Sequence, residues 1–205
     1  SIVPDAVVDA TLTHLPDVVA DMVRLQRLTG ARPGEICSIR PADIDRSGSV
    51  WLYVPQEHKT EHHDMQRLIV VGPQGQAILQ PYLAREEKSY CFSPIESELR
   101  RRQKIRENSR SPRKRKRGRS PKPCRKYADS YNASTYRHAV QRVCKRLRIE
   151  KWSPNQLRHS AATEIRKKFG LEAAQVVCGH QSADVTQIYA ERDLELAIRV
   201  AQEGG

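Results

Sequence analysis

Two arginines stand next to signals that begin or end a helix. Arg32 follows Gly30, a glycine typical of a helix end, and precedes Pro33, which is typical of a first helical turn. Arg158 lies shortly after Pro154, in the first turns of another predicted helix. Guanidinium groups stay charged and bind two phosphate oxygens at once. Each arginine alone is more typical of a surface ion pair, but together they are candidates for binding one phosphodiester.

Tyr189, on a short predicted helix, is the candidate nucleophile. A phenol has an ordinary pKa of about 10 and attacks poorly until a cationic pocket lowers that pKa. A tyrosine on an amphipathic helix is usually a core residue, and its combination with the two arginines favours the chemical role. Because a covalent phosphotyrosine would conserve the energy of the phosphodiester, we expect rejoining to need no cofactor, and we expect no metal.

Three further residues complete the predicted site. Lys59, near the tip of a predicted strand hairpin, could protonate the leaving oxygen if nearby cations lowered its pKa. His180 follows Gly179 at a helix end and could donate to a phosphate oxygen, although this pairing also occurs for structural reasons. Glu35 is three residues after Arg32 and is predicted to orient that guanidinium.

The motifs around these residues resemble those of the tyrosine recombinases, the phage integrase family. The segment Leu28 to Glu35 is similar to the first arginine box of that family, and Leu157 to Thr163 is similar to the second. Lys59 resembles the hairpin lysine of the family, His180 its closing histidine and Tyr189 its nucleophile. The resemblance covers roughly residues 16–192 and implies DNA strand cleavage and rejoining through a 3′-phosphotyrosine, with a free 5′-hydroxyl. It also implies double-stranded DNA as the partner and a tetramer of this chain on it.

One position departs from the family pattern. The family usually has a histidine three residues before its second arginine, and this chain has Asn155 there. An amide can donate a hydrogen bond to phosphate but cannot accept the proton of the tyrosine. We therefore expect Asn155 to position the phosphate, while proton acceptance passes to His180 or water. Two alternatives stay open: a type IB topoisomerase-like activity, and a DNA-binding relative with weak or no catalysis.

The positive charge of the chain is concentrated in one segment. Residues 100–126 hold 15 Lys and Arg and one acid, a charge of +14, and the rest of the chain carries −2, which gives the net +12. Such a run favours a polyanionic partner, although a solvated tether or a nuclear-import-like signal has the same composition. Its Arg-Gly-Arg tripeptide is similar to an AT-hook core, which lies in the minor groove. The residues predicted to bind DNA are Arg113, Lys114, Arg115, Lys116, Arg117 and Arg119.

Length and composition restrict the class of protein. No apolar run approaches the roughly 20 residues of a membrane span, and no leader opens the chain, so we expect a cytoplasmic, nucleoid-associated protein without a membrane partner.

Five widely spaced cysteines predict reduced, mostly buried thiols. Three histidines, His58, His62 and His63, lie near Lys59, but a hairpin tip without a further ligand does not favour zinc.

The elements predict an α+β fold, mainly α, in which a helical catalytic domain carries a small antiparallel β-sheet, similar to DNA breaking-rejoining enzymes. We expect one catalytic domain over residues 1–205, with a basic, disordered insertion at about 107–130 and no N-terminal DNA-clamping domain. The predicted strands are residues 50–54 and 66–71, with a short third strand at 91–92. The predicted helices are residues 16–29, 33–39, 74–85, 95–106, 133–147, 154–169 and 171–178, a helix that Ser182 begins and that carries Tyr189, and a last helix over 193–202. This last helix either docks onto a neighbouring protomer or packs on its own chain.

Overall fold

A computed structural model of the chain describes residues 2–56, 67–108, 127–178 and 187–204, and of residues 187–193 it describes the helical backbone alone. The tip of the predicted hairpin with Lys59, most of the basic insertion, and the segment with Gly179, His180 and Ser182 lie outside these residues. Within the described ranges, no helix is long and apolar enough to cross a membrane.

Nine α-helices form most of the described structure. They are α1 (Asp5–Leu12), α2 (Asp17–Thr29), α3 (Pro33–Cys37), α4 (Pro73–Leu79), α5 (Pro94–Glu107), α6 (Ala133–Leu147), α7 (Pro154–Phe169), α8 (Leu171–Cys178) and α9 (Gln187–Gly204). The predictions for α2, α5, α6, α7 and α8 are confirmed to within one residue. Helix α1 has no strong sequence signal and was not predicted. Helix α4 is shorter than predicted because Pro81 shifts the chain into a 3-10 turn over Gln80–Tyr82.

The sheet has three short antiparallel strands in the order β1-β2-β3. They are β1 (Ile44–Asp45), β2 (Trp51–Tyr53) and β3 (Ile69–Val71), and β2 pairs with β3 in the register that places Leu52 opposite Val70. The prediction of a hairpin is confirmed, but that of a strand at residues 91–92 is wrong. Cys91 and Phe92 are fully buried in a bend, so their apolar character reflects core packing and not strand pairing.

Helix α2 lies at the centre of the core. Its apolar side chains, such as Val19 and Met22, are fully buried, and it packs against α3 to α7 and β3. A helix buried on several sides holds both of its ends in fixed places. The C-terminal end of α2 leads directly to Arg32, so the core positions that arginine.

A second, smaller apolar cluster joins α7, α8 and α9. Ile165 of α7, Ala173 and Ala174 of α8 and Val200 of α9 are buried in it. The two helices predicted after residue 182 are one continuous helix over its described part, Gln187–Gly204. The sequence alone left open whether the last helix docks onto a neighbouring protomer or packs on its own chain. In the structure, α9 packs on α7 and α8 of the same chain.

Candidate active site

Arg32 precedes the first residue of α3 and is held by Glu35 at two points. The backbone N–H of Arg32 donates to Glu35 Oε2 at 2.6 Å, and its guanidinium Nη1 donates to Glu35 Oε1 at 2.9 Å. The first bond satisfies a backbone donor at the helix start, as in a capping box. The second orients the guanidinium, which remains 39% exposed. Arg32 is thus fixed in direction and open to a ligand.

Glu35 is a buried carboxylate, with its side chain 5% exposed. Burial by itself raises the pKa of a carboxyl group. Here Arg67, together with the hydrogen bonds and the charge of Arg32, outweighs burial and holds the pKa of Glu35 below its ordinary value. Glu35 is therefore ionised at neutral pH, which is the state that orients arginines.

Arg158 reaches from α7 to the ends of two other helices. Its Nη1 donates to the carbonyl of Gly30 at 2.9 Å, and its Nη2 donates to the carbonyl of Cys178, the last residue of α8. Gly30 ends α2 in the left-handed conformation, with φ 62°, which suits glycine. The side chain of Arg158 is largely buried, and a guanidinium has five N–H groups, more than these two carbonyls use.

A buried glutamine holds the two arginine-bearing segments together. Gln26 on α2 donates through Nε2 to the carbonyl of Ala31 at 3.0 Å and to that of Pro154 at 2.9 Å. Its Oε1 accepts from the hydroxyl of Tyr136 on α6 at 3.0 Å. Ala31 precedes Arg32, and Pro154 begins the helix that carries Arg158. The fully buried amide of Gln26, through these three hydrogen bonds, therefore fixes the two arginine-bearing segments relative to each other.

Arg67 is a third arginine of this site, and it was not among the residues predicted from the sequence. It precedes β3, its side chain is 6% exposed, and its Nε lies 3.5 Å from Glu35 Oε1. Its Nη2 donates to the carbonyl of Val177 in α8 at 3.0 Å. A charged residue at the start of an apolar strand was the available sequence signal, but only the fold shows that this side chain reaches Glu35 of α3 and Val177 of α8.

The described site is positively charged. The site holds three guanidiniums, those of Arg32, Arg67 and Arg158, and one carboxylate, Glu35, which pairs with the first two. The local charge is therefore about +2. Burial lowers the pKa of Arg158, and the charges of Arg32 and Arg67 lower it further, but a guanidinium remains protonated at neutral pH. Burial raises the pKa of the Cys178 thiol in spite of these cations, so this cysteine is neutral. The site therefore favours an anion.

The structure describes two of the other predicted site residues. Asn155 is exposed, in the first turn of α7 and one turn before Arg158. Tyr189 lies in the first turn of α9. Lys59 and His180 lie outside the described residues, as do Arg113 to Arg119 of the basic insertion. In the described ranges, no group of three or more His, Cys, Asp or Glu side chains could hold a metal ion.

A second basic surface lies on α6. A cleft of about 540 Å³ opens there between the helix and the segment after it in the chain. Its lining residues are Thr135, His138, Gln141, Arg142, Lys145 and Lys151. The amphipathic pattern of α6 predicts the helix but not the shape of its polar face. The structure shows that this face is open and shallow and that it is lined by cations, a character that suits a polyanion.

The fold is that of tyrosine recombinase catalytic domains. The chain superposes on the XerH site-specific recombinase bound to difH substrate with a TM-score of 0.53 and 18% identity, over 96% of this chain and 51% of that one. It superposes on the Tn1549 transposon integrase, in complex with circular intermediate DNA, with a TM-score of 0.55 and 16% identity, over 95% of this chain and 66% of that one. This chain thus spans between half and two thirds of their lengths.

Residues 7–195 match the Phage integrase family. The chain belongs to this family. No curated protein sequence matches it at a significant level. The resemblance of the sequence motifs is thereby confirmed at the level of family and fold.

Proposed function

We propose that the chain cleaves and rejoins DNA strands in site-specific recombination, with Tyr189 as the nucleophile. The observation that carries this proposal is the cluster of guanidiniums at this site: Arg32 and Arg67 both pair with Glu35, and the guanidinium of Arg32 is open to a ligand. Arg158 adds a third charge to the same cluster. Membership of the phage integrase family supports the same function.

In the proposed reaction, Arg32 and Arg158 bind the non-bridging oxygens of one phosphodiester. Negative charge develops on these oxygens in the transition state, and fixed cations stabilise it without rearranging. Glu35 keeps Arg32 in place through its two hydrogen bonds. Asn155 and His180 donate hydrogen bonds to the phosphate.

The chemical step exchanges one phosphoester for another. The phenolic oxygen of Tyr189 bonds to phosphorus, and the bond from phosphorus to the 5′-oxygen breaks. The phenol loses its proton to His180 or water, and Lys59 protonates the leaving oxygen to give a free 5′-hydroxyl. The reverse attack by a 5′-hydroxyl rejoins the strand. Because the number of phosphoester bonds is unchanged, the cycle needs no nucleotide cofactor.

The substrate of this activity is double-stranded DNA, bound by a tetramer of the chain at the nucleoid. The cationic cleft on α6 and the basic insertion supply positive charge beyond the site itself. Contacts of this kind neutralise backbone phosphates and release counterions, so binding should weaken steeply with salt.

Covalent trapping on randomised DNA tests this function and identifies the target site in the same experiment. The chain is incubated with a library of duplexes that carry one nick between randomised sequences. Cleavage next to the nick releases a short strand that cannot return, so the adduct accumulates and resists denaturation by SDS. We expect adducts with the wild type, and we expect sequencing of the trapped DNA to show one enriched motif.

Two variants make the trapping result specific. Tyr189→Phe should give no adduct, whereas Tyr127→Phe, which changes an exposed tyrosine, should give wild-type amounts. Adducts without an enriched motif, together with relaxation of supercoiled plasmid, would support the type IB topoisomerase-like alternative. The absence of any wild-type adduct would support a DNA-binding relative without catalysis.

A further inference from the structure

The C-terminal end of α8 is held by two arginines from other parts of the chain. Arg67 donates to the carbonyl of Val177 at 3.0 Å, and Arg158 donates to the carbonyl of Cys178. The last carbonyls of a helix have no partner within the helix and carry its negative end, so cations bind there favourably. These two consecutive carbonyls are therefore strong acceptors for buried guanidiniums.

The position of this helix end matters because predicted site residues come shortly after it in the chain. Gly179 and His180 come directly after Cys178, and α9 with Tyr189 begins seven residues after His180. A displacement of the end of α8 would displace the starting point of the segment that leads to both His180 and Tyr189. Misplacement of a reacting group by about 1 Å can lower a rate by about 10²-fold.

Arg67 connects this helix end to the other half of the site. Its guanidinium also faces Glu35 at 3.5 Å, and Glu35 holds Arg32 at 2.6 and 2.9 Å. One side chain thus touches both the carboxylate that orients Arg32 and the helix that precedes His180. Its side chain is 6% exposed, and the contacts described for it are with these groups of the protein.

We propose that Arg67 is a positioning residue of the recombinase site, which fixes the end of α8 relative to the Glu35–Arg32 pair. This proposal rests on the proposed function for its catalytic consequence, but the structural tether that it describes can be measured separately. Arginine suits the position because its planar fork can bind a carboxylate and a carbonyl in fixed directions, whereas lysine carries a point charge.

The test compares three variants of the whole chain: Arg67→Met, Arg67→Lys and Arg85→Met. Arg85 is the matched control, since it also joins a backbone carbonyl, that of Tyr90 at 2.9 Å, to a carboxylate, that of Glu96 at 3.1 Å. Three quantities are measured at conditions where every variant is folded. They are the hydrogen exchange of the α8 backbone amides, the single-turnover rate of adduct formation at saturating DNA from the enriched library, and the dissociation constant for that DNA.

For Arg67→Met we expect faster exchange in α8, a cleavage rate lowered by about 10²-fold and a DNA dissociation constant changed by less than about threefold. Arg67→Lys should keep the charge beside Glu35 but lose the tether to Val177, so α8 exchanges faster and cleavage falls by only about tenfold. Arg85→Met should change none of these three quantities.

Two results would overturn the proposal. One is wild-type exchange of α8 in Arg67→Met; the other is a loss of cleavage no larger than that caused by Arg85→Met. If the wild type forms no adduct, the proposed function fails. The comparison of hydrogen exchange in α8 between Arg67→Met and Arg85→Met still decides whether Arg67 holds this helix end.

Discussion

The carbonyl of Gly30 accepts a hydrogen bond from Arg158 Nη1 at 2.9 Å, which joins two segments that are 128 residues apart in the chain. Gly30 is two residues before Arg32, so the same short loop carries one arginine and anchors the other. The two arginine motifs are therefore one structural unit, and a substitution in one motif should alter the position of the other.

Replacement by lysine should lower the cleavage rate at both Arg32 and Arg158, but it should lower the free energy of unfolding mainly at Arg158. Arg32 is 39% exposed and Arg158 is 6% exposed, so Arg32→Lys should change the free energy of unfolding by less than about 1 kcal/mol, and Arg158→Lys should lower it by about 1–3 kcal/mol. Both should lower the single-turnover cleavage rate by about 10²-fold, because each loses a forked donor to the phosphate. Urea unfolding and adduct formation check the two quantities. Equal loss of stability at both positions would contradict the difference in burial.

A methyl group at Gly30 should destabilise the fold. The left-handed conformation, with φ 62°, costs a side-chain-bearing residue about 1–2 kcal/mol, and a Cβ there would lie 3.3 Å from Cys178 Sγ. Gly30→Ala should therefore lower the free energy of unfolding by about 1–2 kcal/mol in urea titrations. Gly34→Ala is the control, since a Cβ at that position meets nothing within 4 Å among the described atoms and alanine favours the helix. Equal free energies of unfolding for Gly30→Ala and Gly34→Ala would show that a side chain at position 30 causes no strain.

The ionised state of Glu35 should make the stability of the chain depend on pH. The pKa of Glu35 is lowered in the folded state because Arg67 and Arg32 outweigh its burial. A carboxyl of this kind stabilises the fold above its unfolded pKa of about 4.3, and the contribution is lost as the pH falls through the lower, folded pKa. Glu35→Gln should be less stable than the wild type at pH 7, and this difference in the free energy of unfolding should narrow as the pH falls below about 4.3. Glu172→Gln, on the exposed face of α8, controls for the loss of one acid. A difference between Glu35→Gln and wild type that does not narrow in acid would contradict this assignment.

Histidine at position 155 should add a proton acceptor beside the phosphate. Asn155 is exposed in the first turn of α7, so an imidazole fits there without repacking the core. Asn155→His should raise the single-turnover cleavage rate by about tenfold at neutral pH, and the rate of this variant should increase as the pH passes about 6.5. Asn155→Ala should show neither effect. Identical pH profiles of the histidine and alanine variants would exclude proton transfer at this position.

The fold and part of the site could be predicted from the sequence because their signals are local. Gly30 after an apolar helix, Pro33 after Arg32, and Ser153-Pro154 before Arg158 each fix a helix end within a few residues, and the structure confirms those ends. The likeness of these motifs to one family rests on the same short segments.

The remaining contacts could not be predicted because they join distant parts of the chain. In the sequence, Gln26 is one more polar residue of an amphipathic helix. Only the packing of α2 against α6 and α7 buries it and brings it within hydrogen-bond distance of residues on both of those helices. From the sequence, Arg67 is expected to be a surface charge at the start of a strand, and only the fold shows that its side chain reaches Glu35 and Val177. The strand β1 has two residues, too few for any periodic pattern, and the apolar pair Cys91-Phe92 shows the same hydrophobicity without strand pairing.

The central claim, that Tyr189 forms a covalent bond to DNA, is tested most directly by mass spectrometry of the trapped adduct. Trypsin releases Phe169 to Arg192 as one peptide, and Tyr189 is the only tyrosine within it. After nuclease digestion, we predict that this peptide carries a 3′-linked nucleotide on Tyr189 and that the modification is absent from Tyr189→Phe. A nucleotide on any other residue, or an unmodified peptide from SDS-resistant adducts, would contradict the account.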